Sequence, residues 1–222
     1  MVKIGSREWN NEMFLAHPTP YEGLAGWIEK QRLQFIIKEI KKHIGPRPGQ
    51  ILELGCESGH LLASLHQAFP HSHLYGIDIS DVALKQAKRR LAGSNCQFLQ
   101  ADICEEIPFE EEVDIIICSE TLEHIPDTDL ALREIKGILK EEQILILSVP
   151  LEKLKNTVKN VLGKIGLMPI LFPKIEEGFS SWHVQDFSPA NFQNKVSEYF
   201  DIISYSQLLG LHQLIVAKKK TL

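Results

Sequence analysis

Strand-like and helix-like segments alternate over most of this chain, and this alternation restricts the fold more than any other feature of the sequence. Short apolar runs, typical of buried strands, are followed by segments whose apolar residues recur at helical spacing. The alternation begins after a cluster of helix breakers at 45–49, Gly-Pro-Arg-Pro-Gly. Strands that alternate with helices of this length form a parallel sheet covered on both faces. The sequence therefore predicts an α/β fold with a mostly parallel sheet.

The pattern predicts seven strands, and the last two are expected to form an antiparallel pair at one side of the sheet. The predicted strands are 50–54, 72–79, 96–101, 113–119, 143–149, 202–205 and 211–217. The predicted helices are 24–40, before the breaker cluster, and then 59–69, 81–91, 127–139 and 188–199. The first twenty residues show no clear period, so no helix is predicted there.

One segment interrupts the alternation after the fifth strand. Residues 151–182 begin with a basic amphipathic stretch that contains Lys153, Lys155, Lys159 and Lys164. Because the segment leaves the sheet at the carboxyl end of a strand, we expect it to cap a ligand site there. The whole chain is then a single domain, 1–222. It has an N-terminal helical segment (1–45), a nucleotide-binding core (46–150), a cap (151–187) and a C-terminal helix and hairpin (188–222).

Charge and hydropathy restrict the partners of the chain. The net charge is −5, so DNA binding is not expected and RNA binding is disfavoured. No apolar run reaches the length of about 20 residues that a membrane span needs, and residues 1–10 contain no apolar core of a signal peptide. A cytoplasmic location is expected. The basic amphipathic stretch leaves peripheral membrane contact open.

The run 51–60, Ile-Leu-Glu-Leu-Gly-Cys-Glu-Ser-Gly-His, predicts a strand, a glycine loop and the start of a helix. Glycines allow tight turns and the close approach of a ligand to the backbone. The loop follows the first strand, which is where α/β folds bind nucleotides. It is not a phosphate-binding P-loop, because no Gly-Lys-Ser/Thr sequence follows.

Acidic residues follow the next strands at the same predicted edge of the sheet. Asp78 ends the second strand, where a carboxylate can accept hydrogen bonds from ribose hydroxyl groups. Asp102 follows the third strand, where it can bind an adenine amino group, and Glu120 follows the fourth. Asp78 alone is equally compatible with NAD, but the set of three favours a different nucleoside cofactor.

In this combination the chain resembles the class I S-adenosylmethionine (SAM)-dependent methyltransferases over residues 50–150. The resemblance implies a Rossmann-like fold, methyl transfer from SAM, and S-adenosylhomocysteine (SAH) as product. The cofactor-binding residues that it implies, from the methionine end through the ribose to the adenine, are Glu53, Gly55, Cys56, Gly59, His60, Asp78, Ile79, Asp102, Ile103 and Glu120. One position departs from the family, which usually has glycine where this chain has Glu57.

Glu120, Glu123 and His124 stand at i, i+3 and i+4, so they share one face if residues 120–125 are helical. This segment resembles that of the ubiquinone-pathway O-methyltransferases and of small-RNA 3′-terminal 2′-O-methyltransferases. The second resemblance implies a divalent metal (Mg²⁺, Mn²⁺ or Fe²⁺) held by Glu120, Glu123, His124 and one later histidine, for which His183 is the candidate. Without a metal, Glu120 contacts the cofactor, and His124 binds the substrate or acts as a base. Glu120, His124 and His183 are therefore the candidate catalytic residues.

The leading functional hypothesis is O-methylation of a small-molecule hydroxyl group, either with or without the assistance of a divalent metal. Three alternatives stay open: N-methylation of an amine or peptide, 2′-O-methylation of an RNA 3′ end, and a non-catalytic SAM-binding subunit. The sequence does not indicate the oligomeric state.

Overall fold

The structure is a computed structural model that describes residues 2–16, 23–151, 164, 166 and 183–220. Two helices, α1 (Arg7–Ala16) and α2 (Gly23–His43), precede the sheet. The elements that follow are β1 (Gln50–Leu54), α3 (His60–Ala68), β2 (His73–Asp78), α4 (Asp81–Arg90), β3 (Cys96–Gln100), β4 (Ile115–Ser119), α5 (Thr128–Ile138), β5 (Ile144–Pro150), α6 (Pro189–Tyr199), β6 (Phe200–Leu208) and β7 (His212–Lys219).

The strands form one seven-stranded sheet in the order β3-β2-β1-β4-β5-β7-β6. The strands from β3 to β5 pair in parallel, and β7 pairs antiparallel with both β5 and β6. The predicted α/β class, the seven strands and the antiparallel pair at one side are confirmed. The expected cap falls largely on residues 152–163, 165 and 167–182, which lie outside the described residues.

Hydrophobic cores lie on both faces of the sheet because successive strand side chains point to opposite faces. In β1, Ile51 packs in one core, and Leu52 and Leu54 pack in the other. The first core also contains apolar residues of α2, α3 and α4, and the second contains those of α5 and α6. The sheet is thus held between helices, and its strand ends are left to carry polar residues.

The helix α1 was not predicted. Its apolar residues lack a regular period, and Phe14 is its buried residue. Tertiary hydrogen bonds hold α1 in place of a regular apolar face. The Asn11 side chain donates to Asp81 Oδ1 at 2.9 Å and accepts from Ser80 Oγ at 2.6 Å. A helix fixed by contacts with distant residues leaves little signal in its own sequence.

No helix in the part of the chain that the structure describes is long and apolar enough to cross a membrane.

Candidate functional site

The glycine loop lies between β1 and α3 and is attached to the neighbouring strand β2. The backbone N–H groups of Gly55 and Cys56 both donate to the carbonyl oxygen of Ile77, at 2.8 and 3.0 Å. Gly55 has a φ of 73°, and a Cβ atom at this position would overlap the Oγ1 and Cγ2 atoms of Thr121. Gly59 has a φ of 75° and caps the N-terminus of α3. The loop therefore favours glycine at both predicted positions, most strongly at Gly55.

The unusual Glu57 has a physical cost that the family's glycine avoids. Its φ of 47° lies in the left-handed region, where a side chain costs roughly 1–2 kcal/mol relative to glycine. Its backbone N–H donates to Asp78 Oδ2 at 2.8 Å, and its carboxylate accepts from Ser58 Oγ at 3.4 Å. The turn thus keeps the conformation typical of glycine although the residue has changed.

Asp78 is placed beside the loop, as predicted. One of its carboxylate oxygens accepts from the N–H of Glu57 and the other from the N–H of Ser80, both at 2.8 Å. Burial raises the pKa of Asp78, while the backbone donors oppose that rise. Each carboxylate oxygen has a second lone pair, so the group can still accept from a ligand hydroxyl. Ile79 follows it and is half-buried.

Glu53 is a buried acid at the same end of the sheet, with 4% of its surface exposed. Burial raises its pKa well above the ordinary value, and the positive charge of Arg32 acts in the opposite direction. Its Oε2 atom has no hydrogen-bond partner within the described chain. A buried polar atom without a partner costs about 1–3 kcal/mol. The position therefore suits a cationic group such as the ammonium of a methionine moiety.

Asp102 and Ile103 lie just beyond the end of β3. The carboxylate of Asp102 accepts from the N–H of Cys104 at 2.9 Å, and Ile103 packs in the core. The strand ends of β1, β2 and β3 therefore carry one acid each, along one edge of the sheet.

Two of the predicted cofactor residues have side chains engaged elsewhere. The Cys56 thiol is buried beside Gly76 of β2, where an added Cβ would lie 2.8 Å from Cys56 Sγ. Cys56 can therefore offer a ligand only its backbone. His60 Nε2 lies 2.8 Å from an Arg90 guanidinium nitrogen. Burial, with the charge of Arg90, lowers the pKa of His60 to about 4. His60 is therefore neutral at physiological pH.

The segment after β4 is less helical than the spacing of its acids suggested. A single 3₁₀ turn covers Leu122–His124, and Glu120 has a φ of 54°, outside any helix. The condition under which Glu120, Glu123 and His124 would share one helical face, a helix over 120–125, is therefore not met. Glu120 instead turns toward β5 and β7.

Glu123, His124 and His183 come together, with one ligand atom from each lying within 4.8 Å of the others. The rings of His124 and His183 have centroids 4.9 Å apart. The backbone holds His183 in place, since the N–H groups of Val184 and Gln185 both donate to the carbonyl oxygen of Glu123. A carboxylate with two imidazoles is a donor set for a divalent transition metal. Glu120, the fourth ligand expected from the sequence, is not part of this group.

A polar network that was not predicted from the sequence connects Glu120 to α2 and to the ends of β4, β5 and β7. Arg32 of α2 donates to Ser119 Oγ, and the hydroxyl groups of Ser119 and Ser148 are 2.7 Å apart. Ser148 donates to one oxygen of Glu120 at 3.3 Å, and the other oxygen lies 3.0 Å from His212 Nδ1. The sequence offered one indication of His212: it is a polar residue at the start of a final strand that is otherwise mostly apolar.

The helix α1 and the turn before it contact segments that follow β2 and β4. Its Asn11 contacts Ser80 and Asp81, which follow β2, and a Cβ added to Gly5 would lie 2.9 Å from Pro126, which follows β4. Two strand spacings separate β2 from β4, about 10 Å. Gly5, in the turn before α1, thus lies beside the segment after β4, and Asn11, in α1, contacts the segment after β2.

Comparisons with known proteins agree with this architecture. The sequence matches the methyltransferase domain family over residues 48–202. It is 32% identical over 121 residues to the malonyl-[acyl-carrier protein] O-methyltransferase of Anoxybacillus flavithermus, a match that covers 54% of this chain and 44% of that protein. It is 33% identical over 100 residues to the trans-aconitate 2-methyltransferase of an Enterobacter species, covering 45% of this chain and 38% of that protein. The chain thus matches less than half the length of either relative.

The fold also agrees with that of a solved methyltransferase. The magnesium protoporphyrin IX methyltransferase of Synechocystis, solved with bound SAM, superposes with a TM-score of 0.67 at 16% identity and covers 99% of both chains. The domain match spans more than half of this sequence, which therefore belongs to the class I SAM-dependent methyltransferase family.

Proposed function

We propose that this chain transfers the methyl group of SAM to a hydroxyl oxygen of a small molecule. The observation that carries the proposal is the set of acids at adjacent strand ends, Glu53, Asp78 and Asp102, around a glycine loop. SAM supplies a methyl group on a positively charged sulfur. As the acceptor oxygen bonds to the methyl carbon, the carbon–sulfur bond breaks, its electron pair stays on sulfur, and the hydroxyl proton passes to a base, for which His124 and His183 are the candidates.

The protein's own contribution is to bind and orient the two reactants. The buried carboxylate of Glu53 pairs with the ammonium of the methionine moiety, and the loop between Gly55 and Gly59 leaves room for its backbone. Asp78 accepts from the ribose hydroxyls, and Asp102 with Ile103 bounds the adenine. These assignments follow the resemblance and agree with the orphaned Oε2 atom of Glu53.

The Asp78 assignment is tested by measuring SAH binding by titration calorimetry. We expect Asp78→Asn to weaken binding about tenfold or more, because a hydrogen bond to a charged group contributes about 1.5–3 kcal/mol. Asp201→Asn is the matched control, because Asp201 is exposed on the edge strand β6. Equal SAH affinity in the two variants would contradict the assignment.

The metal-assisted form of the reaction rests on Glu123, His124 and His183. Glu123 is 1% exposed, and a carboxylate this deeply buried is costly unless opposite charge compensates it. A divalent ion held by these residues would orient neighbouring acceptor oxygens and lower the pKa of a hydroxyl group. Without an ion, the proposal assigns to His124 or His183 the binding of the acceptor or the uptake of its proton.

The metal is tested by assaying methyl transfer from radiolabelled SAM to catechol, whose neighbouring hydroxyl groups suit a chelating site. We expect EDTA to abolish transfer, and Mg²⁺ or Mn²⁺ to restore it in wild type but not in Glu123→Gln. Full activity in EDTA, with no metal detected by elemental analysis, would rule out the metal.

A second acceptor class is a carboxylate. It is favoured by the names of the relatives, which refer to malonyl and trans-aconitate acceptors. Turnover of trans-aconitate without turnover of catechol would select it. Tight SAH binding without turnover of any acceptor would instead favour a non-catalytic SAM-binding subunit.

A further inference from the structure

His212 lies at the edge of the sheet where the cofactor residues lie, although it comes from the opposite end of the chain. It is the first residue of β7 and pairs with Pro150, the last residue of β5. Because β7 runs antiparallel to β5, the start of β7 lies at the carboxyl end of the parallel strands. The residue is 2% exposed, so this imidazole is almost completely removed from solvent.

The partner of His212 fixes which ring nitrogen carries the proton. Nδ1 lies 3.0 Å from Glu120 Oε2, and the Oε1 atom of Glu120 accepts from Ser148 Oγ at 3.3 Å. When Glu120 is ionised it only accepts hydrogen bonds, so Nδ1 then carries the hydrogen of this contact. In a neutral ring held in this way, Nε2 has a lone pair and acts as an acceptor.

Nε2 of His212 has no hydrogen-bond partner within residues that the structure describes, and it is buried. A buried polar atom left in this state is costly, and in native proteins such an atom calls for an explanation. Nδ1 already has Glu120 as a partner, so the cost arises at Nε2 alone. An apolar side chain at this position would avoid that cost. A ligand group that donates a hydrogen bond would remove the penalty.

We propose that His212 binds the methyl acceptor, with Nε2 accepting a hydrogen bond from the acceptor's hydroxyl group while Glu120 holds the ring. The inference rests on the proposed function. It adds that the acceptor presents an O–H or N–H donor at this position, which an ionised carboxylate does not have. Glu120 is then a positioning residue, acting through the imidazole.

The first test is ring ¹⁵N NMR of the wild-type protein with SAH bound, using catechol and trans-aconitate as probes. The Nε2 signal of His212 should have the shift of an unprotonated nitrogen, and it should move when catechol is added but not when trans-aconitate is added. An Nε2 that carries a hydrogen, a ring that does not respond to catechol, or a response to trans-aconitate alone overturns the proposal.

The second test uses two substitutions that imitate different halves of the imidazole. His212→Asn keeps an amide donor near Glu120 but has nothing at the Nε2 position, whereas His212→Gln extends an amide oxygen to that position. We expect His212→Asn to raise the KM for catechol about tenfold, while His212→Gln retains most of the affinity. His73→Phe is the control, because His73 is exposed at the opposite end of the sheet.

The two tests separate this proposal from the proposed function. SAH affinity should stay the same in all three variants, because His212 is assigned to the acceptor and not to the cofactor. Wild-type protein that does not bind SAH refutes the proposed function, whatever the ring nitrogens show. Wild-type protein that binds SAH and methylates catechol, but gives equal KM values in His212→Asn and His212→Gln, refutes the role of His212 alone.

Discussion

Replacing Gly55 by alanine tests how the glycine loop is held. Two separate effects oppose the added methyl group. The backbone has a φ of 73°, and the new Cβ would overlap the side chain of Thr121, lying 2.9 Å even from its Cβ atom. Thr121 cannot easily move away, because its hydroxyl donates to backbone carbonyl oxygens of Leu54 and Ser119.

The size of the effect is the sum of these two contributions. A left-handed backbone costs a residue with a Cβ roughly 1–2 kcal/mol. Overpacking against a fixed neighbour adds about 1–3 kcal/mol. We therefore expect Gly55→Ala to lower the free energy of unfolding by about 2–5 kcal/mol, a large part of the roughly 5–15 kcal/mol that holds a domain folded.

Urea denaturation of three further alanine variants separates the cost of backbone strain from the cost of overpacking. Gly93 has a φ of 80° but nothing within 4 Å of its added Cβ, so Gly93→Ala reports backbone strain alone. Gly137 lies in α5 with free space around it, so Gly137→Ala should stabilise the protein by about 0.5–1 kcal/mol. In the Gly55→Ala background, the second substitution Thr121→Ala should recover part of the lost stability, since it removes the Oγ1 and Cγ2 atoms that the new Cβ overlaps.

The reasoning is refuted if Gly55→Ala costs no more than Gly93→Ala, or if Thr121→Ala adds its own loss without any recovery. Either result would mean that Thr121 does not restrict the loop.

Two further predictions concern the same loop and the helix after it. Glu57→Gly should raise the urea midpoint by an amount equivalent to about 0.5–1 kcal/mol, because relief of the left-handed strain exceeds the entropy cost of glycine; a lower midpoint would contradict the strain at this residue. His60 should titrate by NMR with a pKa of about 4, and Arg90→Gln should raise that value; an unchanged midpoint would remove Arg90 as a cause. Because the unfolded chain takes up this proton near its ordinary pKa of 6.5, the stability due to neutral His60 is complete above pH 6.5 and is lost as the pH falls toward 4.

The parallel core was predictable from the sequence because its strands are apolar runs buried on both faces. The predicted bounds of the first five strands differ from the observed ones by two residues at most. The strand β6 was predicted too short, as 202–205, because its residues are alternately exposed and include Asp201 and Gln207. As the edge strand, β6 is held by its pairing with β7. Its own sequence therefore shows a weaker strand pattern.

The placement of Asp78 and Asp102 was predictable because each ends or follows a parallel strand and so lies at one known edge of the sheet. The side chains around Glu120 were not. The helical spacing of the Glu-x-x-Glu-His segment was misleading, since Glu120 adopts a left-handed backbone and turns toward Ser148 and His212. His212 is 92 residues from its partner, and only the antiparallel direction of β7 brings it there. Long-range contacts of this kind depend on topology, which local periodicity does not encode.

The helix α1 has a consequence for the kinetics of the enzyme. Its Asn11 side chain ties it to Ser80 and Asp81, which closely follow Asp78, the residue proposed to bind the cofactor ribose. Both of the Asn11 hydrogen bonds must break before α1 can separate from this segment, so a product departure that requires the separation would be coupled to local unfolding of α1. Dissociation of SAH, and not methyl transfer itself, would set the turnover rate, and the first turnover would be faster than those that follow.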